Sequence, residues 1–209
     1  MPMKFTSHET DTLLDILTWR RDVRHFRNTP IPDEARQLLH QAIELSPSVG
    51  NSRPWRIIEV ESPEARARVI ASHEKANADA VTDYCDEEKR KYFELKLAGL
   101  REAPLQIAFF TDNNPAAGRG LGRQTMQETL VFSTVTAIHQ LWLMARTLNI
   151  GVGWVSILEP EKMNATLNVD PDWQFTAYLC IGYPQQQDEL PELHRKGWQE
   201  NEKTSWVSR

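Results

Sequence analysis

Apolar residues recur at intervals of three and four along three stretches of the chain, the spacing of one face of an α-helix. The first stretch is 9–19, the second follows Pro32, and the third covers about 124–149. Proline suits the first turn of a helix, and Asp33 and Glu34 come next, where the helix dipole favours acidic side chains. Several polar side chains interrupt the third stretch, so it predicts a buried helix of a soluble fold instead of a membrane span.

Four short apolar runs, at 55–61, 105–111, 152–158 and 175–184, predict β-strands. Residues 62–100 are highly charged and carry no strand signal, which favours helices on the outside of the fold, in a flap or insertion. The order is helix, helix, strand, helices, strand, long helix, strand, strand and polar tail, which predicts an α+β fold with few strands. The long apolar helix is compatible with a core shared between two subunits and with a monomer core.

The length of 209 residues suits a single domain over 1–209, with 62–100 as a helical insertion within it. A net charge of −5 argues against nucleic acid as a partner, although a local arginine cluster remains compatible with one bound phosphate. Cys85 and Cys180 match no metal spacing, and the six histidines are scattered, so we expect reduced thiols, a cytoplasmic location and no metal site. The first residues lack the apolar core of a signal peptide.

The stretch "RRDVRHF", residues 20–26, places one acid among three arginines and a histidine. An extended backbone alternates its side chains, so one face carries Arg20, Asp22 and Arg24 and the other carries Arg21, Val23 and His25. A surface ion pair, worth about 0–1 kcal/mol, is one interpretation. The other interpretation is an anion-binding site that also contains one functional carboxylate. The composition does not decide between the two interpretations.

Two further segments have the composition of ligand-binding loops. "SPSVGNSRPW", at 46–55, offers short hydrogen-bonding side chains from Ser48, Asn51 and Ser52, although ordinary turn chemistry would also explain them. "GVGWVSIL", at 151–158, places the hydroxyl of Ser156 at the end of a predicted strand, where a satisfied core serine is the commoner case.

Together, "R-R-D-V-R-x-F" and the "SPSxxNxxPW" about twenty residues later resemble the flavin-binding signature of the nitroreductase-like FMN oxidoreductases. The resemblance covers nearly the whole chain, including the long helix and a basic C-terminal segment. It implies a small, mainly antiparallel sheet flanked by helices, with a long central helix in a homodimer. It also implies an FMN site built from the arginine motif of one subunit and the second motif of its partner.

Asp22 stands where that family usually has serine. This departure, with "GVGWVSIL" and "GWQEN", makes the chain similar to the flavin-destroying subgroup, the 5,6-dimethylbenzimidazole synthases. The similarity implies that reduced FMN and O2 are substrates, and that the products are the lower ligand of vitamin B12 and erythrose 4-phosphate. It also implies a separate flavin reductase and catalytic roles for Asp22 and Ser156. The implied FMN-binding residues are Arg20, Arg21, Asp22, Val23, Arg24, Ser48, Asn51, Ser52, Leu100, Ser156 and Arg195.

On this hypothesis the arginines keep Asp22 ionised, and the carboxylate acts as a base or orients the ribityl chain. Residues 62–100 would cover the flavin and exclude water. Two alternatives remain: an NAD(P)H-dependent FMN nitro- or quinone reductase, and a non-catalytic FMN carrier. A positioned acid serves neither alternative, which favours the synthase.

Overall fold

The centre of the fold is an antiparallel sheet in a computed structural model that describes residues 3–80, 85–93, 95 and 99–209. Within these residues its strands are β1 (Trp55–Glu59), β2 (Leu105–Asp112), β3 (Gly151–Val155) and β4 (Trp173–Gly182). Their order is β1–β2–β4–β3, and every neighbouring pair is antiparallel. The predicted α+β class and mainly antiparallel sheet are therefore confirmed.

Seven helices surround the sheet in the described part of the chain: α1 (Ser7–Trp19), α2 (Asp33–Glu44), α3 (Pro63–Ala80), α4 (Asp86–Phe93), α5 (Thr129–Thr147), α6 (Met163–Leu167) and α7 (Glu192–Arg195). The long helix begins later than the predicted residue 124. Residues 121–128 form turns instead, and the N–H of Thr129 still bonds the carbonyl of Met126 three residues back, at 3.2 Å.

Side chains along each strand alternate between the two faces of the sheet, and helices cover both faces. On one face, Ile107, Phe109 and Leu179 pack with apolar side chains of α2 and α5. On the other face, Phe110 and Tyr178 pack in a second cluster that includes residues of α3 and α6. The sheet therefore lies between two helical layers, and α5 forms the centre of one of them.

The strand β3 ends at Val155, three residues earlier than the predicted 158. Beyond it the chain turns, since the N–H of Leu158 donates to the carbonyl of Ser156 at 3.1 Å. The early end matters for the site because it leaves Ser156 exposed, just outside the sheet.

The described part of the 62–100 segment consists of α3, α4 and the residues next to them, while 81–84, 94 and 96–98 lie outside the described residues. Helix α3 is fixed to the loop that follows β3. His73 Nδ1 lies 2.8 Å from the carbonyl oxygen of Ile157, and the N–H of Glu159 donates to Ser72 Oγ at 3.0 Å. The described part of the segment is helical, and α3 contacts the loop that carries Ser156.

One apolar surface of the single chain is left uncovered. Helix α1 has no buried residue, and its Leu13, Leu14 and Leu17 are exposed; on the neighbouring α5, Phe132 and Val135 are exposed as well. We call these five residues the α1–α5 face. Contiguous exposed apolar residues mark interaction surfaces more often than isolated ones do.

None of the helices in the described ranges has both the length and the apolar character needed to cross a membrane.

Candidate active site

A pocket of about 270 Å³ lies between the "RRDVRHF" segment, the C-terminal end of α5 and residues 184–196. Its lining includes six of the residues predicted for the FMN site: Arg20, Arg21, Asp22, Val23, Arg24 and Arg195. Most of its charged side chains are cations, which makes it suited to an anionic ligand.

The "RRDVRHF" segment is extended and runs beside β3. The N–H of Val23 donates to the carbonyl of Val152 at 3.0 Å, and Asp22 and Val152 form a parallel bridge. Gly153 makes this approach possible, because a Cβ at that position would collide with the carbonyl oxygen of Val23. The predicted alternation is confirmed where Asp22 and Arg24 meet on one face.

Both carboxylate oxygens of Asp22 are held by donors. Oδ1 accepts the main-chain N–H of Trp154 at 2.9 Å, and Oδ2 accepts Nε of Arg24 at 2.9 Å. The Asp22 side chain is 33% exposed and lines the pocket. The carboxylate is therefore fixed in position with one side open to a ligand.

Burial raises the pKa of Asp22 above its ordinary value of 3.8, and the Trp154 N–H and the Arg24 charge only partly oppose this. Desolvation therefore sets the direction of this pKa shift, because it disfavours the charged form of Asp22 more strongly than one close arginine favours it. A raised pKa makes the carboxylate a stronger base than an ordinary aspartate when it is ionised.

The arginines of the pocket differ in what they contact. The guanidinium of Arg20 lies 4.9 Å from the ring centre of Trp142, in a cation–π arrangement. Arg21 donates from Nε to the carbonyl of Glu189 at 2.8 Å and from Nη1 to the carbonyl of Arg20 at 2.6 Å, so it fixes the backbone around the pocket. Burial lowers the pKa of Arg21.

Arg195, one of the implied FMN-binding residues, lines the pocket and forms an ion pair with Asp188, Nε to Oδ2 at 3.1 Å. The pair is half-exposed, so water and salt weaken it. Arg195 can therefore reach a ligand only in competition with Asp188.

The remaining predicted residues, Ser48, Asn51, Ser52, Leu100 and Ser156, do not line this pocket. Ser48 Oγ accepts the N–H of Arg53 at 3.0 Å, and Leu100 is buried beside Phe26 in the second apolar cluster. Ser52 Oγ is buried and makes no hydrogen bond to any residue in the described ranges. One chain alone thus does not bring the two predicted motifs together.

Sequence reasoning missed the wall of the pocket formed by α5. Trp142 and Arg146 line it from positions one turn apart, together with Gln187 from the following loop. The i and i+4 spacing places both residues on one helical face, but it does not show that this face borders a pocket. On sequence alone, Arg146 instead counts among the polar side chains that interrupt a buried helix.

The matches to known proteins agree with this geometry. The protein-family model described as "Nitroreductase family" matches residues 17–183, so the chain belongs to the nitroreductase family. A relative from Rhodobacter capsulatus, named 5,6-dimethylbenzimidazole synthase, is 50% identical over 207 residues, 99% of this chain and 100% of the relative. A relative of the same name from Rhodospirillum rubrum is 49% identical over 90% of each chain.

The fold is also found in solved structures of low sequence identity. A crystal structure of oxidized iodotyrosine deiodinase bound to FMN and 3-iodo-L-tyrosine superposes with a TM-score of 0.72. It is 17% identical and covers 94% of this chain and 97% of that chain. This likeness confirms the predicted nitroreductase-like fold.

Proposed function

We propose that the protein is a 5,6-dimethylbenzimidazole synthase, which consumes reduced FMN and O2 and releases 5,6-dimethylbenzimidazole and erythrose 4-phosphate. The relatives named for this activity, at 49–50% identity over 90% or more of the chain, support the proposal. The observation that carries it is Asp22, a carboxylate fixed by two donors at the wall of a cationic pocket.

The residues fit FMN as the substrate. Arginine side chains present planar forks of donors that match phosphate oxygens, and the pocket contains several of them. The buried Ser52 Oγ lacks a partner in the described chain, as expected of a group that completes its bonding in a larger assembly.

Asp22 is proposed to accept a proton from the ribityl chain of the substrate. Its two hydrogen bonds fix the carboxylate without occupying all of its lone pairs, because each oxygen can accept two. The raised pKa increases its basicity. A simple FMN carrier would gain nothing from such a group, since a carboxylate repels the phosphate that the arginines attract.

Ser156 is proposed to donate a hydrogen bond to the reacting flavin. It follows β3, the strand that holds Asp22 through Trp154, so the two residues are joined by a short, rigid connection. Helix α3 braces the residues after Ser156 through Ser72 and His73. This bracing supports a covering role for the 62–100 segment, which would exclude water from the flavin.

The protein is proposed to be a homodimer, in which the 46–55 segment of one subunit completes the FMN site of the other. The α1–α5 face supports this, because an apolar surface on a long helix is what a shared helical core requires. A separate flavin reductase and a cytoplasmic location remain predictions.

Product analysis tests the proposal against its alternatives. The protein is mixed with chemically reduced FMN, exposed to air, and the products are separated by chromatography after one turnover. We expect 5,6-dimethylbenzimidazole and erythrose 4-phosphate in equal amounts. Quantitative recovery of intact FMN would instead leave the nitro- or quinone reductase and the FMN carrier, and NAD(P)H oxidation with a quinone would separate those two.

A further inference from the structure

Arg146 is a cation of the pocket that none of the predicted motifs includes. It lies in the last turn of α5, one turn after Trp142. The ring of Trp142 makes a cation–π contact with the guanidinium of Arg20. All three residues line the pocket. Two arginines, Arg146 from α5 and Arg20 from the end of α1, therefore lie at the same wall of the pocket as Trp142.

The partners of Arg146 leave most of its hydrogen-bonding capacity unused. Nη2 donates to Asn149 Oδ1 at 3.2 Å and to Gln187 Oε1 at 3.1 Å, and both acceptors are neutral amides. A guanidinium has five N–H donors, so those on Nε and Nη1 contact no acceptor in the residues that the structure describes. Nor does any described carboxylate form an ion pair with it.

Three other arginines of the pocket are more fully engaged. Arg24 binds the carboxylate of Asp22, and Arg195 binds that of Asp188. Arg21 donates hydrogen bonds to the main-chain carbonyls of Arg20 and Glu189. A dianionic ligand group would gain most from the arginines that have no described acid beside them, Arg146 and Arg20, because no existing ion pair must be broken.

We propose that Arg146 binds the phosphate of FMN and is a specificity-determining residue that makes the pocket prefer FMN to riboflavin. The proposal rests on the proposed function only in taking FMN as the ligand. Burial lowers the pKa of Arg146, which reflects a partly desolvated cation that an anion would stabilise. The competing explanation is that Arg146 only caps the C-terminus of α5, where the helix dipole favours a cation.

Binding measurements separate these explanations without any turnover. Oxidised FMN and riboflavin are titrated into the protein, and quenching of flavin fluorescence gives the two dissociation constants. The variants are Arg146→Gln, which removes the charge, and Arg146→Lys, which keeps it. Arg68→Gln is the matched control, because Arg68 on α3 donates to the carbonyl of Thr166, far along the chain from the pocket lining.

A charge-assisted hydrogen bond is typically worth a factor of about ten to a hundred in binding. We therefore expect Arg146→Gln to weaken FMN binding by that factor and riboflavin binding less than about twofold. Arg146→Lys should retain a preference for FMN between those of Arg146→Gln and the unsubstituted protein, and Arg68→Gln should retain the full preference.

An equal loss for both flavins would assign Arg146 to the shape of the pocket and overturn the proposal, as would unchanged FMN binding. The outcome does not depend on the reaction, since a protein that binds FMN through Arg146 but returns it intact would contradict only the proposed function.

Discussion

Asp22 Oδ1 accepts the main-chain N–H of Trp154 at 2.9 Å, which ties a side chain of the N-terminal segment to a strand 132 residues further along the chain. A main-chain donor within a sheet has little freedom to move. The carboxylate therefore keeps its position whether or not a ligand is bound, and catalysis by a fixed group depends on such positioning.

Asp22→Asn should abolish most product formation while leaving binding intact. Asparagine keeps the shape and an oxygen for the Trp154 N–H, but it loses the charge and the basic lone pair. We expect a decrease of about 10²–10⁴ in the single-turnover rate, the range typical of a general base. The measurement is chromatography for 5,6-dimethylbenzimidazole after mixing with reduced FMN in air.

The matched control is Asp112→Asn, which disrupts a comparable ion pair with Arg56, 2.6 Å long, at the end of β2. It should retain nearly full yield. Ser156→Ala should decrease the yield less than Asp22→Asn, because it removes one donor and leaves the base. Full yield from Asp22→Asn would show that the carboxylate is only a structural partner of Arg24.

The raised pKa of Asp22 predicts where activity is lost in acid. A base works only when it is ionised, so the rate should fall as the pH drops through the pKa, at a higher pH than the ordinary 3.8 of aspartate. Arg24→Gln removes a charge that lowers this pKa, so it should move the acid limb to still higher pH. Single-turnover rates across pH, at saturating reduced FMN, locate the acid limb of the pH profile in the unsubstituted protein and in Arg24→Gln. An acid limb at the same pH in both proteins would contradict the role of Asp22.

The α1–α5 face should hold two subunits together. Leu14→Glu and Phe132→Glu each place a charge on this face, where the native side chains are 56% and 52% exposed in the single chain. Sedimentation at micromolar concentration should show a dimer for the unsubstituted protein and a shift toward monomer for both variants, with weaker FMN binding. Ala165→Glu, on the exposed side of α6, is the control and should remain dimeric. An unsubstituted protein that is monomeric with FMN bound would refute the shared site.

A covered flavin predicts poor reductase activity. Hydride transfer from NADPH and transfer to a nitroaromatic both need an open face on the flavin, which the 62–100 segment is proposed to close. Steady-state NADPH oxidation with a nitroaromatic should thus be slow compared with dedicated reductases measured in parallel. Comparable turnover would support the reductase alternative.

The local pattern correctly predicted the geometry of the arginine segment because its residues are close in sequence. In "RRDVRHF" an extended backbone is enough to bring Asp22 and Arg24 to one face, and the structure shows them hydrogen-bonded. The position of Ser156 at a strand end likewise follows from a short apolar run. The long helix was predicted from its periodicity and the four strands from short apolar runs, whereas their antiparallel pairing was implied only by the family resemblance.

What escaped prediction depends on contacts between distant residues. Arg146 meets Gln187, 41 residues later, and no pattern within α5 reveals which of its polar positions faces a pocket. The pKa of Asp22 was expected to follow its arginine neighbours, yet the burial that raises it comes from packing against β3. Desolvation is a property of the assembled fold, so the sequence around Asp22 does not contain it.

The strand β3 is the last in the sheet order. Its side that faces away from β4 would present unpaired main-chain N–H and C=O groups, as any sheet edge does. Val23 and the Asp22 carboxylate occupy that edge, since they pair with Val152 and with the N–H of Trp154. The proposed catalytic acid therefore also guards the protein against edge-to-edge aggregation. A change that removes its acceptor oxygen, such as Asp22→Ala, would leave the Trp154 N–H at this edge without its acceptor while Val23 still pairs with Val152, so one oxygen atom serves both the sheet edge and the proposed chemistry.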